Sequence, residues 1–291
     1  MQQSIGHTIN FLFVRSRPWL SLGPGWAALA GLLSTGQAGL NSSTVLHVVG
    51  LWVLVDPLLG TLWALSVEQG LWRHVARAQL PAPPRMRFTL PYAQPDSLAG
   101  QMVLLARRYR LWWSEQPRPE LGPQITTFGA ALVLACLLGL TLRPALFGLV
   151  VLAVVLTVIA GLTVSDLAAT GGGRLQSLVQ FLLPWLMGVI LTTTPNLVVL
   201  LLALCFWIVY LGALRMSGQH HRAEWLYFGG QLAATLLLVG IGLMPGTILL
   251  GVLLLAQLLL KTKFPLPADF LPKVQLYLIA AVIVAGLSVG V

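Results

Sequence analysis

Asp56, set inside an apolar run and followed directly by Pro57, is the first residue whose type and position could do chemistry. A carboxylate at membrane depth costs about 2.5–3.5 kcal/mol on insertion scales, so such a group faces a cavity or a partner. Two readings stand. Asp56 is a proton or ligand site, or it is a protonated or hydrogen-bonded side chain repairing the backbone break that Pro57 makes. Glu68 lies farther along, one turn before Trp72-Arg73, where an interfacial pair with Arg73 or Arg77 is available. Asp166 precedes Gly171-Gly172-Gly173, which could cradle an anion, yet no GxGxxG or P-loop pattern surrounds it and a turn is the simpler reading. His220 and His221 are adjacent, so on a helix they point about 100° apart and do not chelate one metal easily. His47 stands alone in an apolar stretch and reads as a satisfied intramembrane histidine, with a haem or chlorophyll ligand as the sharper alternative. No Ser-His-Asp or Cys-His constellation is recognisable, and no catalytic residue is assigned.

These residues are positioned by a chain built for lipid. Of its 291 residues 57% are hydrophobic and 9% charged, against about 25% charged in soluble domains. Eight acids and 17 bases cannot cover a soluble globule of this length, whereas a bilayer lets lipid-facing side chains stay apolar. The net charge of +9 could point to nucleic acid. The bases instead sit in short connections between apolar runs, so nucleic acid is excluded as a partner and the bilayer takes its place. Cys136 and Cys205 lie in apolar runs and behave as small hydrophobes, offering neither a disulfide framework nor a metal site. No short apolar stretch with a small-residue cleavage site opens the chain, so no removable signal is expected.

A spanning helix needs about 20 mostly apolar residues. Candidates fall at 19–38, 45–71, 125–142, 144–164, 175–193, 196–214, 225–243, 246–260 and 274–291. Asn41-Ser42-Ser43, Arg143-Pro144, Gly171-Gly172-Gly173, Thr194-Pro195-Asn196 and Met244-Pro245-Gly246 punctuate them. This predicts an all-α integral membrane protein, a single polytopic domain over 1–291 with about nine transmembrane helices. All 17 lysines and arginines except Arg143 then fall on one side. The positive-inside rule makes that side cytoplasmic, with the N-terminus inside, the C-terminus outside and a bacterial inner membrane as the expected location. Trp19, Trp72, Trp112, Trp113, Trp185 and Trp225 fall near the predicted interfaces as an aromatic belt.

One cytoplasmic connection is long, over 72–124. Pro81, Pro83, Pro84, Pro91 and Pro95 exclude regular helix from its first part. In its second part, Ser97 to Gln116, Leu98, Met102, Leu105, Tyr109 and Trp112 recur at helical spacing. Arg107, Arg108 and Arg110 crowd nearby, which predicts an amphipathic surface helix in the headgroup region. A helix capping the bundle without lipid contact is the alternative.

Nine spans, an inside N-terminus and long or polar cytoplasmic connections after spans two and six resemble the UbiA superfamily of intramembrane prenyltransferases. Arg17-Pro18-Trp19 followed by Gly23-Pro24-Gly25 looks like that family's opening. Leu162 to Gly188, with Pro184-Trp185-Leu186-Met187-Gly188, is similar to its fourth-to-fifth span region, and Gln275 to Gly290 to its last helix. The resemblance implies a carboxylate-rich motif, Asn-x-x-x-Asp-x-x-x-Asp in type, ending the second span and a second Asp cluster after the sixth. Together these hold Mg²⁺ on the diphosphate of a polyprenyl donor. The matching stretches here are Leu65-Ser66-Val67-Glu68-Gln69-Gly70-Leu71-Trp72 and Arg215-Met216-Ser217-Gly218-Gln219-His220-His221-Arg222-Ala223-Glu224. Glu68, as a remnant metal ligand, and Glu224 at the far end are too few oxygens for two divalent cations.

The resemblance thus implies a degenerate, non-catalytic member with no metal site. Asp56, Glu68, Arg73, Arg215, Arg222 and Glu224 would line its candidate polar cavity. The expected function is binding of an isoprenoid, quinone or pigment-type lipid, or service as a subunit or assembly factor of a larger respiratory or photosynthetic membrane complex. An active prenyltransferase with an eroded metal site, using aromatic or tetrapyrrole acceptors, is the alternative.

Overall fold

A computed structural model describes residues 23–37, 42–77, 100–104, 106, 110, 121–163, 172–218 and 223–290, and every regular element among them is helical. The principal helices are α1 (Pro24–Leu33), α2 (Thr44–Glu68), α3 (Leu71–Arg77), α4 (Gly122–Leu142) and α5 (Pro144–Thr163). They continue with α6 (Gly173–Thr192), α7 (Leu197–Ser217), α8 (Ala223–Gly240), α9 (Met244–Lys263) and α10 (Pro267–Gly290). Seven of them, α2, α4, α5, α6, α7, α9 and α10, are long and apolar enough to cross a membrane, the build of an integral membrane protein. α1 and α8, with 10 and 18 residues, occupy the positions of the first and seventh predicted spans without reaching that standard.

The breaks follow local chemistry. Arg143-Pro144 separates α4 from α5, because proline starts a helix well and cannot continue one. Asn196 caps α7 by accepting the Val199 N–H at 2.8 Å. α8 ends where Gly242 takes φ +79°, a conformation that glycine adopts without strain, and Pro245 opens α9.

Several predicted boundaries move. The second span stops at Glu68 rather than 71 because Gly70 turns the chain at φ +64°. The eighth, expected over 246–260, runs Met244–Lys263. The last begins at Pro267 rather than 274; Pro272 and Lys273 resemble a loop, but the helix runs through them with Pro272 as an interior proline.

α1 is threaded between α6 and α10 by small residues. A Cβ on Gly31 would strike the Trp185 carbonyl, and one on Gly188 the Ala28 carbonyl. Gly286 and Gly290 of α10 lie equally close to the carbonyls of Ala30 and Leu33. Between apolar helices in lipid such close backbone approach supplies the van der Waals attraction that burial alone does not. α6 and α7 are the most buried of the long helices and form the inside of the bundle, while α4 and α9 are mostly exposed and face outward.

The helix ends show which connections share a face. The Thr192 hydroxyl donates to that of Thr35 at 3.0 Å, Gly36 abuts Gly290, and Arg143 Nη1 donates to the Ile190 carbonyl. The far ends of α1, α4, α6 and α10 therefore meet, with Arg143 among them. At the opposite ends lie Arg73, Arg174, Arg215, Lys261, Lys263 and Lys273.

Residues 100–104 are helical, as the spacing predicts, and Met102 is 74% exposed, so it does not rest on the bundle. Leu98, Leu105, Tyr109 and Trp112 lie outside the described residues.

Candidate functional site

Among the described residues the most enclosed carboxylate is Asp56, and backbone irregularity puts it there. Pro57 has no N–H to donate one turn back. The helix accommodates it with a widened π turn over Leu54–Leu58, an irregularity that recurs at functional positions. Asp56 is buried at the α1 boundary, and its Oδ1 accepts the Gly25 N–H at 3.2 Å. Pro24 has no N–H, so Gly25 offers one of the first unpaired donors of α1. The carboxylate also faces the positive end of that helix. Space is closed around it: a Cβ on Gly25 would lie 2.6 Å from Oδ2 and 2.9 Å from the Trp52 ring. Trp26 meets Trp52 edge-on, with ring centroids 5.3 Å apart.

Asp56 is thus hydrogen-bonded, as one of the two sequence readings held, but it serves the start of α1 rather than the break at Pro57. The Pro57 carbonyl is engaged separately by the Thr61 hydroxyl at 2.6 Å.

A second widened turn, Ala64–Glu68, ends α2. Glu68 is exposed there. Arg73 folds back from α3, and its Nη2 donates to the Val67 carbonyl at 3.2 Å. Trp72 donates from Nε1 to the Ser66 hydroxyl at 3.0 Å and meets Phe128 edge-on. Asp56 and Glu68 stand more than three turns apart on one helix, roughly 18 Å of rise, and so face different depths.

Glu224 opens α8, where its Oε1 pairs with Lys261 Nζ of α9 at 2.7 Å. Lys261 also donates to the Pro265 carbonyl at 2.7 Å. Deeper along the same seam lie Tyr227, Gln231 and Gln257, all buried. The Tyr227 hydroxyl donates to Gln257 Oε1 at 2.6 Å, and the two amides exchange hydrogen bonds at 3.0 and 2.9 Å. A parallel arrangement joins α6 to α7, where Tyr210 donates to Gln180 Oε1 at 3.0 Å beside a third widened turn, Leu178–Leu182. Sequence reasoning missed these glutamines because it searched for ionisable groups. Amides inside apolar runs were the available signal, since they hydrogen-bond across helices in lipid.

Of the predicted cavity residues, Asp56 is joined to α1, Arg73 to the end of α2 and Glu224 to α9. Arg215 is half-buried in the last turn of α7, and Arg222 lies outside the described residues.

Among the described residues the carboxylates do not gather into a Mg²⁺-diphosphate centre. Glu224 is neutralised by Lys261, Asp56 is enclosed at α1, and no three His, Cys, Asp or Glu side chains gather among the described residues. Mg²⁺ wants near-octahedral oxygen coordination through carboxylates and phosphates, and Glu68 by itself supplies one carboxylate toward it.

Compared with known protein families, curated proteins and solved structures, the chain finds no match.

Proposed function

We propose that this chain is a non-catalytic membrane protein of the UbiA type. It holds an isoprenoid, quinone or pigment-type lipid, or serves as a subunit or assembly factor of a larger membrane complex. In this reading α1 and α8 complete a nine-span bundle, and the charged ends face the cytoplasm of a bacterial inner membrane, with the C-terminus outside. The charge distribution supports that orientation, since Arg143 alone of the lysines and arginines is assigned to the other side.

The observation that carries the non-catalytic reading is the employment of the acids. Asp56 and Glu224 bind a helix start and a lysine, so they act as fasteners between helices. The runner-up, an active prenyltransferase with an eroded metal site, rests on Glu68, an exposed carboxylate beside a widened turn.

Purification in mild detergent, followed by organic extraction and mass spectrometry, tests the lipid role. An isoprenoid, quinone or tetrapyrrole should be enriched over the bulk membrane, or a stoichiometric membrane subunit should co-purify. Recovery of neither contradicts the proposal. Reporter fusions after Thr194 and after the last residue should both report the outer side, and a cytoplasmic signal from the latter contradicts the nine-span arrangement.

A further inference from the structure

The connection between α9 and α10 gathers cations in a way that helix packing does not require. Lys273 Nζ lies 4.2 Å from the centroid of the Phe264 ring, and Lys263 Nζ lies 5.8 Å from the same centroid. Lys261 stands over Phe270 at 5.3 Å, but its charge is answered by Glu224. Lys263 and Lys273 have no such answer, since among the described residues neither has a carboxylate partner. Both are exposed, while Phe264 is half-buried and fixed at the end of α9. Two like charges held on one ring repel each other, and a shared anion between them turns that repulsion into attraction.

The surroundings select the kind of anion. Lys263 ends an apolar helix and Lys273 lies in the early turns of the next, the height at which long cationic side chains reach headgroups. Leu266, in the same connection, is 63% exposed. Trp225, next to the Glu224 that binds Lys261, is 82% exposed. A free phosphate has no use for an exposed leucine and tryptophan, whereas a phospholipid presents its phosphate to the lysines and its acyl region to the apolar side chains.

We propose that Lys263 and Lys273, set over Phe264 at the α9–α10 connection, bind the phosphate of an anionic phospholipid headgroup. The site is independent of any prenyl or quinoid ligand within the bundle. Lys261 and Glu224 fix the end of α9 against α8, which holds Lys263 at the right height.

Native mass spectrometry of the full chain, titrated with phosphatidylglycerol and with phosphatidylcholine, tests the proposal. The wild type should retain phosphatidylglycerol in preference, and Lys263→Gln/Lys273→Gln should lower that affinity about tenfold or more. Lys263→Arg/Lys273→Arg should preserve it. Arg15→Gln/Arg174→Gln, which removes the same charge from elsewhere in the chain, should change it less than about twofold. Equal losses in the two glutamine doubles overturn the proposal, as does unchanged binding in Lys263→Gln/Lys273→Gln. Millimolar inorganic phosphate should leave the lipid adducts in place, and competition by it would assign the lysines to free phosphate instead. Matching thermal midpoints for the two glutamine doubles establish that the comparison is made between folded proteins.

Discussion

Helix α2 and the α8–α9 pair both bury polar side chains at membrane depth, and they do it by opposite means. In α2 the backbone departs from regularity at Leu54–Leu58 and Ala64–Glu68, and Asp56 finds its partner on another element, at Gly25. In α8 and α9 the helices are regular, and Tyr227, Gln231 and Gln257 meet because helical spacing sets them at matching heights. Placement by backbone irregularity needs several residues to agree: a proline, a glycine and a carboxylate. Placement by spacing needs only the side chains themselves. The α2 arrangement should therefore fail under changes of shape, and the α8–α9 arrangement under changes of hydrogen bonding.

The largest expected effect is at Gly25. A leucine there displaces Asp56 and the Trp52 ring, which already lie 2.6 and 2.9 Å from a bare Cβ, and should cost more than about 3 kcal/mol. Thermal unfolding in detergent or loss of monodisperse protein reads it. Asp56→Leu comes next, at about 2 kcal/mol, because the Gly25 N–H is left without its acceptor. Asp56→Asn keeps an acceptor oxygen and should stay within about 1 kcal/mol of the wild type. Equal losses from leucine and asparagine would assign Asp56 a role that depends on charge.

Gln257→Leu should cost about 1–2 kcal/mol, since Tyr227 and Gln231 lose their shared partner. Gln231→Leu in the same background should add little, so a double-mutant cycle reads a coupling that additive losses would disprove. The smallest effect is Gly251→Ala in α9, where a Cβ meets nothing within 4 Å. It should stabilise by up to about 1 kcal/mol through helix propensity, and a loss there would mean that α9 has a neighbour outside this chain.

The contrast also explains what the sequence disclosed. Apolar runs and their punctuation located the long helices, because Arg143-Pro144, Thr194-Pro195-Asn196 and Met244-Pro245-Gly246 act locally on the backbone. The start of α10 lies ahead of the expected one because Asp269, Pro272 and Lys273 look like a loop, whereas the helix opens at Pro267 and carries Pro272 as an interior proline, giving up one backbone hydrogen bond. Asp56 was visible as a costly residue, but its partner Gly25 lies far back in the chain and no periodicity links the two. The glutamine pair was visible only as two polar letters in apolar runs, and its reciprocity depends on how α8 packs against α9. The dispersal of Arg73, Arg215 and Glu224 over separate contacts is likewise a product of packing.

The central proposal is that Asp56 and Glu224 join helices and that this chain does not hold a metal on a diphosphate. Turnover by the purified protein, offered farnesyl, geranylgeranyl or longer diphosphates with quinoid, haem or chlorin acceptors, tests it most directly. The assay is run with and without Mg²⁺, beside Glu68→Gln. The account predicts no prenylated product under any of these conditions, whereas metal-dependent product that disappears in Glu68→Gln would contradict it.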